Sequence, residues 1–236
     1  MKVLVIPDVH LKPWMFQRAS ELMKETEADQ AVCLMDIPDD WRQEFNLELY
    51  VSTFDAAITF AKEYPETLWC YGNHDICYPW NQRETGYSKI APWTVCEKLR
   101  LLREELPDEK QLAFLHRIDD VLFCHGGLTD EYVRQYVPAK HYNSIDAVID
   151  TINGFGLGEL WQDASPLWYR PQYYGGKMYK PRKLLQVVGH TPVEAITRKG
   201  NLISCDVFST YRDGGPIGTQ EYLLLDTDNW GYKGIQ

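Results

Sequence analysis

Short apolar runs of strand length punctuate the chain, and most of them end abruptly in polar residues. Lys2–Pro7 runs into Asp8-Val9-His10, Gln30–Met35 into Asp36, and Thr67–Tyr71 into Gly72-Asn73-His74-Asp75. Val121–Cys124 runs into His125-Gly126-Gly127, and Leu184–Val188 into Gly189-His190-Thr191-Pro192. Continuous apolar runs of this length read as buried strands. Asn201–Val207 and Glu221–Asp226 read as closing strands without such a cluster. Between the strands, Pro13–Glu27 and Leu47–Glu63 have the apolar spacing of helices. Thr94–Leu106 is amphipathic and stops before Pro107, and Ser144–Ile152 is a shorter helical stretch. Alternating strands and helices predict an α/β layered fold, and 236 residues suit a single domain over 1–236. Ligands of open α/β sheets gather beyond the carboxyl ends of strands. The polar clusters, distant in sequence, are therefore expected to converge in space.

Those clusters carry Asp8, His10, Asp36, Asn73, His125 and His190. Carboxylate, imidazole and amide oxygen suit divalent manganese, iron or zinc. No cysteine joins them, which argues against a structural zinc site. A carboxylate such as Asp36 can bridge two ions, and two ions about 3.5–4 Å apart can clamp the attacking and leaving oxygens of a phosphoryl displacement. Taken singly, each residue has an ordinary reading as a turn former or a satisfied strand-end group. The joint pattern decides, since four of the six histidines fall in these clusters. His116 and His141 fall outside them and read as surface residues.

DVH at 8–10, DIPDD at 36–40, GNHD at 72–75, HGG at 125–127 and GHT at 189–191 resemble the motifs of the calcineurin-like metallophosphoesterases, in the same order and over most of the chain. His125-Gly126-Gly127-Leu128, with Pro192 where other branches place a second histidine, resembles the phosphoprotein phosphatase branch. That branch includes bacterial and phage serine/threonine phosphatases and symmetrical diadenosine tetraphosphate hydrolases. The resemblance implies a β-sandwich flanked by helices, with a di-metal site at the strand ends. It implies that Asp8 and His10 bind one ion, that Asp36 bridges, and that Asn73, His125 and His190 complete the second. It implies attack by a metal-bridging hydroxide, with His74 as general acid and Asp39 as the carboxylate that orients it. The expected activity is hydrolysis of a phosphomonoester in a phosphoprotein or nucleotide-type substrate, with two divalent ions, manganese first. The alternatives are a dinucleoside polyphosphate or phosphodiester hydrolase and, from another class, a binding scaffold without activity. Retention of every ligand and of His74 counts against the scaffold.

Two positions depart from the family pattern. Met35 stands where glycine usually precedes the bridging aspartate, so a Cβ must be accommodated there. Asp40 stands where the phosphatase branch usually has arginine, removing a phosphate clamp that Arg42, two residues on, could replace. The basic, aromatic segment Trp168–Lys183 has no acidic residue and reads either as a solvated loop or as a substrate-facing rim within a 128–183 insertion. Its Arg170 is the candidate for a bidentate phosphate contact, with Asn73 as a second substrate-binding group. Its tyrosines could stack on a nucleobase or line a peptide groove. Tyr78, Trp80, Tyr87 and Trp93 read as local core. Gly126 and Gly127 would relieve crowding near the metals.

Composition narrows the partners. A net charge of −10 opposes non-specific binding to duplex DNA. Val3–Pro7 is too short for a signal-peptide core, and no run is long enough to span a membrane. The reading is therefore a cytoplasmic protein with its six cysteines reduced, Cys33, Cys70, Cys124 and Cys205 serving as small core hydrophobes.

Overall fold

A computed structural model describes residues 1–236. Eleven strands form two sheets. The strands are β1 Lys2–Ile6, β2 Gln30–Cys33, β3 Leu68–Cys70, β4 Leu112–Ala113, β5 Leu115–Ile118, β6 Val121–Cys124, β7 Leu185–Val188, β8 Thr197–Lys199, β9 Leu202–Ser204, β10 Tyr222–Asp226 and β11 Tyr232–Ile235. The first sheet has the order β11-β10-β1-β2-β3-β4, and the second β5-β6-β7-β9-β8. β1 to β4 run parallel, as do β6, β7 and β9, while β10 and β11 close the first sheet antiparallel.

Side-chain alternation builds the layers. Val3 and Val5 of β1 point into the space between the sheets, against Phe123, Leu185, Val187 and Ile203. Leu4 and Ile6 point the other way, into a larger core with Met15, Phe16, Phe54 and Trp69. A strand's period of two places neighbours on opposite faces, so a strand buried on both sides must be apolar on both, as β1 is after its exposed Lys2 and β6 is throughout. The result is a mixed α/β domain in which two facing sheets are flanked by helices.

The helices are α1 Trp14–Thr26, α2 Leu47–Glu63, α3 Asn73–Cys77, α4 Pro92–Glu105, α5 Asp130–Tyr136, α6 Ile145–Asn153, α7 Leu157–Leu160 and α8 Pro171–Tyr174. The α2 boundaries are those expected; its N-terminus is capped by Asn46, whose side chain accepts from Leu49 N at 3.3 Å. α4 begins at Pro92, two residues earlier than expected, because proline suits a first helical turn. β2 stops at Cys33, before the expected Met35, because Met35 and Asp36 turn to φ 55° and 44°. Cys33, Cys70, Cys124 and Cys205 are fully buried. No helix is long and apolar enough to cross a membrane.

Three residues are placed differently from the sequence reading. His116 is buried, and its Nε2–H donates to the Trp69 carbonyl at 3.1 Å. Trp93 is 77% exposed rather than core, whereas Tyr78 is buried and stacks on Tyr87 at 4.5 Å. Asn201–Val207 does lead into a polar cluster, since β9 delivers the buried Asp206.

Candidate active site

The parallel strands deliver their C-terminal residues to one edge of the sandwich. β1 leads to Asp8 and His10, β2 to Asp36 and Asp39, β3 to Asn73 and His74, β6 to His125, β7 to His190 and β9 to Asp206. Two loops form its floor. Val9, His10 and Leu11 donate backbone N–H to the carbonyls of Met35, Asp36 and Ile37 at 2.9, 2.8 and 2.9 Å. The Asp75 carboxylate ties the second loop to β3, accepting from Asp36 N and Gly72 N at 2.8 Å each and from Ile37 N at 3.0 Å.

Donor atoms of Asp8, His10 and Asp36 lie within 4.8 Å of one another, as do those of Asp36, His125 and His190. Asp36 belongs to both groups. His125 Nε2 is 3.0 Å from Asn73 Oδ1, 3.1 Å from His190 Nδ1 and 3.2 Å from Asp36 Oδ2. Backbone contacts fix the imidazoles. A carbonyl only accepts, so His10 Nδ1–H donates to Asp39 O at 2.9 Å and His125 Nδ1–H to Leu34 O at 3.2 Å. With Nδ1 held this way, both rings turn Nε2 toward the cluster, the orientation that metal-ligating histidines adopt.

These residues fit divalent cations on structural grounds. Asp8 Oδ1, Asp206 Oδ1 and His190 Nε2 are buried without a hydrogen-bond partner, at an energetic penalty unless a cation or water meets them. The backbone is cut close around the carboxylates. A Cβ on Gly189 would lie 1.8 Å from Asp8 Oδ1, and one on Gly72 would lie 2.0 Å from Asp36 Oδ1. Burial pushes the Asp8 carboxyl well above its ordinary pKa, with Asp206 and Asp36 adding repulsion. For Asp36 burial acts in the same sense, but His125, His74 and His10 outweigh it and hold the group below the usual range. Burial and the neighbouring His125 and Arg170 push His190 well below its ordinary value, keeping it neutral.

His74 stands beside this cluster, 5.5 Å from His10 ring to ring. Its backbone N–H donates to Asp36 Oδ1 at 2.9 Å, and its Nδ1 meets Asp39 Oδ2 at 2.9 Å. The other Asp39 oxygen accepts from Tyr50 and Tyr78 hydroxyls at 2.6 and 2.5 Å. Burial disfavours the His74 imidazolium, yet Asp36 and Asp39 outweigh it and raise the pKa to about 9.

His10, Asp36, Asn73, His74 and His190 line an open cavity of about 360 Å³. The chain matches the family model described as calcineurin-like phosphoesterase over residues 1–215. The chain belongs to the calcineurin-like phosphoesterase family. Solved structures agree in fold. A cold-active protein-tyrosine phosphatase of a psychrophilic Shewanella species aligns at a TM-score of 0.57 and 16% identity, over 100% of this chain and 80% of that one. A hypothetical protein from Pyrococcus horikoshii aligns at 0.50 and 14%, over 100% and 87%, and a Thermus thermophilus protein at 0.50 and 13%, over 100% and 98%. No curated protein matches at a significant level.

In this calcineurin-like phosphoesterase the basic segment 168–183 divides. Trp168 and Arg170 line the cavity, and Arg170 donates to His190 O at 2.5 Å. Tyr179 is buried in the core, while Tyr173 and Tyr174 are mostly exposed. Lys177 pairs with Asp130 at 3.4 Å, outside the cavity. Arg42 is not among the cavity residues; Arg212 is, together with Trp41 and Asp40. Gly126 is packed against the carbonyls of Pro166 and Tyr169, each 2.9 Å from where a Cβ would stand, so the crowding it relieves comes from that segment. Sequence reasoning missed Asp75, Asp206 and Arg212. Asp206 carried a readable signal, because Ile203-Ser204-Cys205-Asp206 repeats the strand-then-aspartate pattern of the first two clusters.

Proposed function

We propose that this phosphoesterase hydrolyses phosphomonoesters on a phosphoprotein or nucleotide-type substrate, as a member of the phosphoprotein phosphatase branch. One observation carries the reading: the Asp36 carboxylate is shared by two groups of metal donors at the edge of a cavity that also holds the His74–Asp39 pair. Asp8, His10 and Asp36 would hold one divalent ion, manganese first and iron or zinc otherwise. Asp36, Asn73, His125 and His190 would hold the second. Such a pair, when bound, supplies an acidified water as nucleophile and neutralises charge on the phosphoryl oxygens.

The chain's own groups do the rest. His74 holds a proton at Nε2 because Asp39 occupies Nδ1 and favours the charged ring, so it can deliver that proton to the leaving oxygen. Tyr50 and Tyr78 keep Asp39 aimed at His74. With its Oδ1 turned to the His125 side, Asn73 keeps an amide N–H for a phosphate oxygen. Arg170 is braced by His190 O and offers its remaining N–H groups to the same phosphate.

Trp41 and Trp168 in the cavity wall favour a second reading, a dinucleoside polyphosphate whose base stacks there. A manganese-dependent panel of p-nitrophenyl phosphate, its bis-ester, a phosphopeptide and diadenosine tetraphosphate tests both, with wild type beside His74→Asn. The expected result is monoester turnover that collapses in the variant. Preference for the tetraphosphate would select the second reading. Silence on all four substrates with several divalent ions would leave a binding scaffold.

A further inference from the structure

The cavity mouth carries a guanidinium, that of Arg212, which forms no ion pair with the carboxylates of the cavity. Arg212 lies in the tight turn 210–216, closed by a bridge between Thr210 and Pro216 and by hydrogen bonds from Tyr211 N to Gly215 O and from Gly214 N to Tyr211 O, both 2.8 Å. The turn is pinned to the cavity wall at its base, where the Thr210 hydroxyl donates to Asp40. The other oxygen of Asp40 accepts from Lys12 Nζ at 3.2 Å, which anchors the carboxylate and neutralises its charge. The Arg212 guanidinium carbon stands 5.1 Å from the centre of the Trp41 ring. Stacking of this kind steadies the cation and leaves its N–H edges free.

In a chain of net charge −10, two unpaired arginines in one cavity call for an explanation. Arg18, Arg100, Arg117 and Arg134 all pair with carboxylates. Arg42, Arg83, Arg103, Arg182 and Arg198 form no such pair, but Arg170 and Arg212 are the two unpaired arginines that line the 360 Å³ cavity, where like charges repel. An anion between them would turn that repulsion into attraction.

We propose that Arg212, steadied on Trp41 and anchored through Thr210 to Asp40, closes with Arg170 on the terminal phosphate dianion of the substrate and selects monoesters over diesters. The inference rests on the phosphoesterase reading of this cavity. A monoester dianion offers two negative charges and three free oxygens to two forked donors. A diester has one charge and two free oxygens, so it gains less from the second arginine.

The test uses the manganese-loaded full chain as wild type, Arg212→Ala, Arg212→Lys and, as a control for equal charge change outside the cavity, Arg42→Ala. Inorganic phosphate affinity is read by calorimetry, and kcat and KM are read for p-nitrophenyl phosphate and its bis-ester. Arg212 is exposed on a surface turn, so its replacement leaves folding intact. Arg212→Ala is expected to weaken phosphate binding and raise the monoester KM about tenfold, the effect of one charge-assisted contact worth about 1.4 kcal/mol. The monoester-to-diester ratio of kcat/KM should fall by a similar factor, manganese affinity should hold, and Arg212→Lys should recover part of the loss. Unchanged phosphate affinity in Arg212→Ala, or an equal loss in Arg42→Ala, with wild type active, would overturn the clamp alone. A wild type that binds no phosphate and hydrolyses neither ester would overturn the phosphoesterase reading, and the clamp with it.

Discussion

Replacing Asp39 by asparagine separates the proton-delivery role proposed for His74 from the proposed metal-donor cluster beside it. The two side chains have the same shape, and the asparagine carbonyl oxygen can still accept from Tyr50 and Tyr78. The amide nitrogen would then replace Oδ2, which stands 2.9 Å from His74 Nδ1. Two N–H groups cannot share that contact, so the imidazole must present Nδ1 as an acceptor and becomes a neutral ring with its proton on Nε2. A neutral imidazole N–H is a far weaker acid than imidazolium. Asp36 still favours the charged ring, but the hydrogen bond and charge of Asp39, which help raise His74 to about 9, are gone. Loss of a positioned general acid slows turnover about 10²–10⁴-fold. The effect should grow with the basicity of the leaving group, since an alkoxide needs a proton more than a nitrophenolate does. Asp39 supplies no side-chain atom to either group of metal donors, so manganese affinity should change by less than about threefold against the 10–100-fold typical of a lost metal-supporting contact. The assay is kcat for p-nitrophenyl phosphate and for an alkyl phosphate, alongside manganese titration by calorimetry. Equal losses on both substrates, or a loss of metal affinity that matches the loss of turnover, would refute the assignment.

Other consequences can be checked separately. Gly189→Ala places a Cβ 1.8 Å from Asp8 Oδ1, so the carboxylate must move; manganese affinity measured by calorimetry should fall about 10–100-fold, and unchanged affinity would count against Asp8 as a ligand. His116, held neutral by burial with its pKa pushed down to about 4, lies below the unfolded value of about 6.5, so the unfolded chain takes up the proton first. Its contribution is present above about pH 6.5 and is lost as pH falls toward 4, the loss being on the order of 1 kcal/mol at pH 5.5; in melts across pH 5–7.5, His116→Gln should remove that part of the acid dependence.

Much of the site could be read from the sequence because its residues follow strands. Asp8, Asp36, Asn73, His125 and His190 each stand within three residues of the C-terminal end of a buried apolar strand, and parallel pairing then brings those ends to one edge. What stayed hidden depended on long-range geometry. Arg212 sits in a turn with no periodicity, and only its stack on Trp41 and the Asp40 anchor place it at the cavity. Asp75 sits inside a recognisable motif and caps it locally at Gly72 N, but its two contacts to Asp36 N and Ile37 N reach across to the loop after β2 and have no local signature. His116 misled because a histidine in a strand reads as a solvent-facing residue. Here the Trp69 carbonyl satisfies its N–H, and a satisfied polar group can be buried.

Met35 explains why the departure from glycine before Asp36 is tolerated. Its φ of 55° lies in the left-handed region, where a side chain costs about 1–2 kcal/mol. Complete burial of that side chain offsets the strain, since filling such a core position stabilises by about 1.5–3 kcal/mol. The same conformation recurs at His10, Leu11, Asp36, Asp39 and His190, with φ of 43°, 56°, 44°, 66° and 61°. Strain gathered in this way persists only where the surroundings over-determine it. Three backbone hydrogen bonds between the two floor loops, and three more into the Asp75 carboxylate, provide that constraint. Left-handed residues turn the chain sharply without a glycine, so His10 and Asp36 can both face one point although each follows a straight strand. The donor atoms are thus held close together by the fold itself, and a bound cation would relieve the mutual repulsion of Asp8, Asp36 and Asp206 rather than having to assemble the site.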